Sequence, residues 1–170
     1  MTLILRNMSA DDWPAVKEIY EQGIATHNAT FEKHAPDWEH WNREHLAVCR
    51  LVCTNNHKLV GWAALCPVSS RCVYEGVAEL SVYVAHDYRG QGVGKMLLQN
   101  LIIESEKCGI WTLQAGIFPE NIVSIELHRK SGFRVVGYRD KIGKMGKYWR
   151  DVVLLERRSK TVGILNQNRE

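Results

Sequence analysis

The run from Glu79 to Lys95 constrains this chain more than any other stretch. Glu79-Leu80-Ser81-Val82-Tyr83-Val84 alternates like a strand, Arg89-Gly90-Gln91-Gly92-Val93-Gly94-Lys95 is punctuated by glycine, and Met96, Leu97, Leu98, Leu101 and Ile102 follow at helical spacing. A loop that opens directly onto a helix presents unpaired N–H groups and the positive end of the helix dipole, which suits a pyrophosphate. Three glycines let a phosphate approach that backbone. Two familiar phosphate motifs are excluded. In a Walker loop Arg89 would take the place of the first glycine and Met96 that of the hydroxyl residue, and in a dinucleotide fingerprint Lys95 would replace the third glycine.

The remaining pattern predicts one α/β domain of about seven strands and about four helices, with no repeat and no interior linker. At 170 residues and 45% hydrophobic content, the chain is long enough for one buried core and short for two. A first strand covers Thr2–Met8, and Ser9 caps a helix over Ala10–Thr26. Pro36–Ala47 reads as a second helix, and Arg50–Thr54 with Lys58–Pro67 as a hairpin. After the strand that ends at Val84 come a helix over Gly92–Cys108, a strand over Thr112–Ile117 and a helix over Asn121–Ser131. Strands over Arg134–Asp140 and Tyr148–Glu156 complete the domain, residues 1–158, and a polar tail over 159–170 is expected to be loosely held from Arg157 on. The strand before the glycine loop and the strand at Thr112 should run parallel and adjacent, joined by the helix between them. Ligands in such sheets bind outside the carboxyl ends of strands where the order switches.

A net charge of +3 gives no argument for nucleic acid. The opening apolar run is too short for a signal-peptide core and no stretch approaches ~20 apolar residues, so no membrane partner and a cytoplasmic location are expected. Five cysteines, odd in number and without a Cys-x-x-Cys pair, read as reduced thiols. His45, Cys49, Cys53 and His57 recur every fourth residue and would line one face of a continuous helix as metal ligands. The strand signal at Arg50–Thr54 and the Asn55-Asn56 turn break that face, so no metal is expected.

A second motif settles the family comparison. Asn121-Ile122-Val123-Ser124-Ile125-Glu126-Leu127-His128-Arg129-Lys130-Ser131-Gly132-Phe133 and the loop Arg89–Gly94 together resemble the two signatures of the GCN5-related N-acetyltransferases, in the same order. The resemblance spans residues 2–157. Within it, Asn28-Ala29-Thr30-Phe31-Glu32, Arg71-x-x-Tyr74, Glu79-x-Ser81-Val82-Tyr83-Val84 and Trp149-Arg150-Asp151-Val152 look like the phosphinothricin and methionine sulfoximine acetyltransferase group. Cys72-Val73 inside the Arg71-x-x-Tyr74 motif and Gly146-Lys147-Tyr148 before Trp149 depart from that group near the expected acceptor pocket.

The resemblance implies acetyl-CoA as co-substrate, a small amino-acid-like acceptor and a homodimer. It implies cofactor contacts at Val82, Tyr83, Val84, Arg89, Gly90, Gln91, Gly92, Val93, Gly94, Lys95, Asn121 and Lys130. Glu79, expected to be buried, becomes the general base and His128 the acid for the departing thiolate. Phe31, Arg71, Cys72, Val73, Tyr74, Glu79, Leu80 and Ser81 would form the acceptor site, with Arg71 and Tyr74 clamping an acidic group. Trp13, Trp38, Trp41, Trp62 and Trp111 are expected in the core, with Trp149 shared between core and pocket. Two alternatives stand beside this: transfer to a protein N-terminus, a polyamine or an aminoglycoside, and a CoA-binding module without turnover.

Overall fold

The computed structural model describes residues 2–164. Strand β1 (Leu3–Asn7) leads through a single 3-10 turn at Ala10–Asp12 into helix α1 (Trp13–Ile24). The helix starts later than Ser9 predicts because the Asp12 carboxylate reaches back to the Ser9 N–H at 2.8 Å and tightens that first turn. Arg6 holds the same carboxylate at 2.6 and 2.7 Å, which with the Ser9 contact pushes its pKa down to about 2. Helix α2 is only Trp38–Glu44, shorter than Pro36–Ala47. Asp37 caps it by accepting the His40 N–H at 2.8 Å, and His45 is already extended.

Strands β2 (Leu51–Asn55) and β3 (Lys58–Pro67) form the expected hairpin, and β4 (Val77–Val84) follows. Helix α3 (Val93–Lys107) begins after Gly92, whose φ of 86° fits glycine better than any other residue. Strand β5 (Thr112–Ile117) has the predicted bounds, and helix α4 (Ile122–Lys130) is capped by Asn121. Strand β6 (Arg134–Met145) runs well past Asp140, because Asp151 bridges an irregularity there by accepting the Lys141 N–H at 2.6 Å and the Tyr138 O–H at 2.5 Å. Strand β7 (Tyr148–Arg158) closes the sheet in the order β1-β2-β3-β4-β5-β7-β6.

Alternation on β3 divides the core. Ala63 and Leu65 face Leu97, Leu98 and Leu101 of α3, while Trp62 and Ala64 join Trp13, Val16, Ile19 and Trp41 under α1 and α2. Both faces are therefore covered, which is why Val60–Leu65 is buried without interruption. The three leucines of α3 are fully buried, each contributing about 1.5–3 kcal/mol and fixing the helix whose start carries the glycine loop. Trp149, by contrast, is 59% exposed beneath Lys144 and belongs to no core.

Residues after Arg157 are not loosely held as far as they are described. Arg158 donates to the carbonyls of Trp111, Val162 and Gly163, and Arg157 and the buried Ser159 hydroxyl both meet Glu106 at 2.9 Å. The rest of the predicted tail lies outside the described residues. His45 follows α2, Cys49 adopts a left-handed φ of 58°, Cys53 lies in β2 and His57 in the hairpin turn, so the four share no helix face. All five cysteines are free, and among the described residues no helix is long and apolar enough to cross a membrane.

Candidate active site

Strands β4 and β5 pair in parallel at only three positions, Val77 with Thr112, Ala78 with Leu113 and Glu79 with Gln114. Beyond Glu79 they splay apart. On its other side β4 stays paired to β3, with the Ala85 N–H donating to Val60 O at 2.9 Å. Hydrogen-bonded residues alternate along an antiparallel pair, so Tyr83, Ser81 and Glu79 direct their main chain to β3, while Leu80, Val82 and Val84 direct theirs into the splay. The opening is thus lined by backbone donors and acceptors at the expected Val82 and Val84, the Val84 carbonyl also accepting from Arg89 Nε at 3.4 Å. Tyr83 does something else: its ring stacks on Trp62 at 4.8 Å and meets Tyr20 at 4.8 Å.

At the outer end of the splay the chain turns through the glycine loop. Gly90 and Gly92 have φ of 72° and 86°, and a Cβ on either would meet no atom within 4 Å, so conformation rather than crowding selects glycine and the space above them is open. The Gln91 side chain braces the turn on Asp87 O at 2.7 Å. The first intrahelical bond runs from the Met96 N–H to Gly92 O. The amides of Val93, Gly94 and Lys95 therefore stand at the positive end of a 15-residue helix, as a diphosphate requires. Gly94 lies against Leu127 and Val84, where a Cβ would sit 3.4 and 3.5 Å from their methyls, and this draws α4 and β4 together around the loop.

A cleft of ≈ 670 Å³ occupies the splay and the space beneath α2. It gathers Phe31, Glu79, Leu80, Ser81, Val82, Tyr83, Asn121 and His128. Glu79 is exposed rather than buried, and its carboxylate accepts from Gln114 Nε2 at 3.0 Å. Its β3 neighbour Cys66 also lines the cleft, the thiol pushed up to about 11 by burial and by the charges of Glu79 and Glu44, which keeps it protonated and unreactive.

His128 is 3% exposed. Its Nδ1 lies 2.7 Å from Ser124 O, which can only accept, so the proton belongs on Nδ1. Nε2 is then a bare acceptor, buried and without a partner among the described residues. Burial also pushes the ring below its ordinary pKa. In the resting state this histidine takes a proton rather than gives one, so it becomes an acid only after receiving one.

That burial has a consequence for stability. The folded chain keeps His128, and likewise His45, neutral, while the unfolded chain protonates both rings as the pH falls below about 6.5. The unfolded state then binds more protons, so the contribution is complete above that pH and declines below it. His128→Asn, which cannot titrate, should show a shallower acid-side decline of Tm than the parent; parallel curves would mean that the ring does not carry this term.

Other expected residues lie elsewhere. Arg71, Cys72, Val73 and Tyr74 are exposed and outside the cleft, Arg71 stacking on Tyr74 at 5.5 Å. The side chains of Lys95 and Lys130 are exposed, while the Lys95 amide stays in the first turn of α3. The sequence reading gave no site role to Gln114, Phe118 or Gly143, nor to Arg150, which it met only inside the Trp149–Val152 resemblance. Phe31 meets Phe118 edge-on at 4.9 Å and lies where a Gly143 Cβ would be 2.3 Å from its ring, so a glycine on β6 makes room for this wall of the cleft. Only the bareness of position 143 hinted at it.

A sheet splayed at its parallel pair, with a glycine loop on the following helix, defines an acyltransferase scaffold, and residues 6–133 match the model of the acetyltransferase (GNAT) family. The chain belongs to that family. It is 36% identical over 165 residues to the phosphinothricin N-acetyltransferase of Alcaligenes faecalis, covering 90% of this chain and 81% of the relative. It is 29% identical to the L-methionine sulfoximine/L-methionine sulfone acetyltransferase of Salmonella typhimurium, covering 91% and 93%. Among solved structures it is similar to YncA of Salmonella typhimurium, determined with its cofactor acetyl-CoA, at a TM-score of 0.85 and 28% identity over 93% of this chain and 94% of that one.

Proposed function

We propose that this protein transfers acetyl from acetyl-CoA to the α-amine of a small amino acid such as phosphinothricin, methionine sulfoximine or methionine sulfone. The observation that carries the reading is the three-residue pairing of β4 and β5, which ends at Glu79 and leaves the main chain of Val82 and the Val84 N–H directed into the splay. The named relatives, which act on acceptors of this kind, support the substrate class.

In this reading the amides at the start of α3 hold the diphosphate, and Asn121 and the β4 edge hold the pantetheine arm. Glu79 takes the proton of the acceptor ammonium, directly or through a water. The amine nitrogen then bonds to the thioester carbon, the carbon–sulfur bond breaks, and the developing oxyanion meets a main-chain N–H of β4. As the amide forms, the nitrogen gives up its extra proton, His128 Nε2 takes it, and the protonated ring passes it to the departing thiolate. Thiol release measured with acetyl-CoA against a panel of amino acids, polyamines and an N-terminal peptide tests the reading, and turnover confined to the last two would overturn the acceptor class.

The protein acts in the cytoplasm, in keeping with five free cysteines, and as a homodimer. Val73 and Tyr74 are 64% and 45% exposed, the kind of apolar surface a second copy covers. If Arg71 and Tyr74 clamp the acceptor, they do so from that second copy. Arg71→Ala is then expected to raise the acceptor KM more than it lowers kcat; loss of acetyl-CoA affinity instead would remove the clamp role.

A further inference from the structure

Arg150 is a heavily engaged cation, yet its contacts include neither the glycine loop nor Glu79. It reaches from β7 to three separate pieces of chain. Nη1 donates to His27 O at 2.9 Å and meets Met145 Sδ at 3.5 Å, while Nη2 donates to Asn28 Oδ1 at 3.3 Å and to Glu120 Oε2 at 3.2 Å. The plane of the guanidinium lies over the Phe118 ring, 3.9 Å from its centroid. From the other side Asn121 Nδ2 donates to Asn28 O at 3.1 Å. His27 sits at a left-handed φ of 54°, a conformation that costs a histidine free energy and persists where its surroundings impose it.

Immediately after this anchored pair come Ala29, Thr30, Phe31 and Glu32, all lining the cleft. Phe31 is seated on Phe118, the same ring that carries the guanidinium. One planar cation thus ties the loop after α1, the turn before α4 and the last hairpin into a single wall. The fork and flat face of arginine suit this task, whereas an ammonium offers a point charge that can neither stack nor span four acceptors.

We infer that Arg150 is a positioning residue for the acceptor: it clasps His27–Asn28 to the Phe118–Glu120 turn and so holds the Phe31 wall of the cleft in place. The inference rests on the acetyltransferase reading for its effect on turnover, but the clasp itself is independent of which amine is acetylated.

Two readouts on Arg150→Lys and Arg150→Met test it. Amide exchange in a peptide covering residues 27–32 should speed up by about tenfold or more, with β4 and α3 unchanged, as expected when a local tether is lost. The acceptor KM should rise by about tenfold or more in both variants while the acetyl-CoA Kd stays within about twofold, and added methylguanidinium should recover part of the loss in Arg150→Ala. Unchanged exchange at 27–32 would overturn the clasp. Equal weakening of both substrates, or a lowered Tm with both KM values intact, would overturn its role in positioning the acceptor. Should the parent acetylate no amine at all, the acceptor role falls with the proposed function, and the exchange result still decides the clasp.

Discussion

Glu79→Gln is expected to lower kcat by about 10²-fold or more while leaving the acetyl-CoA Kd unchanged. The substitution is nearly isosteric, and Gln114, whose Nε2 now donates to the carboxylate at 3.0 Å, can still donate to the new amide oxygen. Position and local packing are therefore preserved, and what is removed is the capacity to take a proton. Cys66 across the β3–β4 pair offers no substitute, since its pKa of about 11 keeps it a thiol. His128 accepts protons too, but its buried Nε2 lies on the opposite, α4 side of the splay. The deficit should shrink as the pH is raised through the acceptor's own amine pKa, because the amine then arrives already neutral. A stopped assay of thiol release across pH checks both statements, and an undiminished rate near neutrality would remove Glu79 from the chemistry.

Local signals were legible in the sequence, and contacts between distant segments were not. The glycine loop, the strand before it and the α4 cap are each written in a dozen consecutive residues, so their positions followed from spacing alone. Strand β6 was cut short because its continuation depends on Asp151, which stands ten residues beyond the Lys141 amide that it accepts. The Arg150 clasp joins residues 123 positions apart, and no periodicity encodes such a pair. Arg71 and Tyr74 show the reverse case. Their motif is visible, but within the single chain they stack on each other, exposed and outside the cleft, so a clamp on the acceptor would need a second copy that local spacing does not encode.

Replacing Gly92 by valine should weaken acetyl-CoA binding by about 10²-fold, close to 2.7 kcal/mol. Two effects act together. At a φ of 86° a β-branched residue is strained by about 1–2 kcal/mol, which pulls the loop away from its present turn. Its side chain would also project into the open space above the α3 amides, where nothing now stands within 4 Å of a Cβ and where the reading places the diphosphate. Gly109 supplies the control. It has a φ of 79°, equally open surroundings and a place at the far end of the same helix, so Gly109→Val imposes comparable backbone strain without touching the site. Both variants should lose Tm to a similar degree, and only Gly92→Val should lose affinity in a calorimetric titration. Equal affinities in the two would mean that strain, not obstruction, is all that position 92 reports, and the diphosphate would have to be sought away from the start of α3.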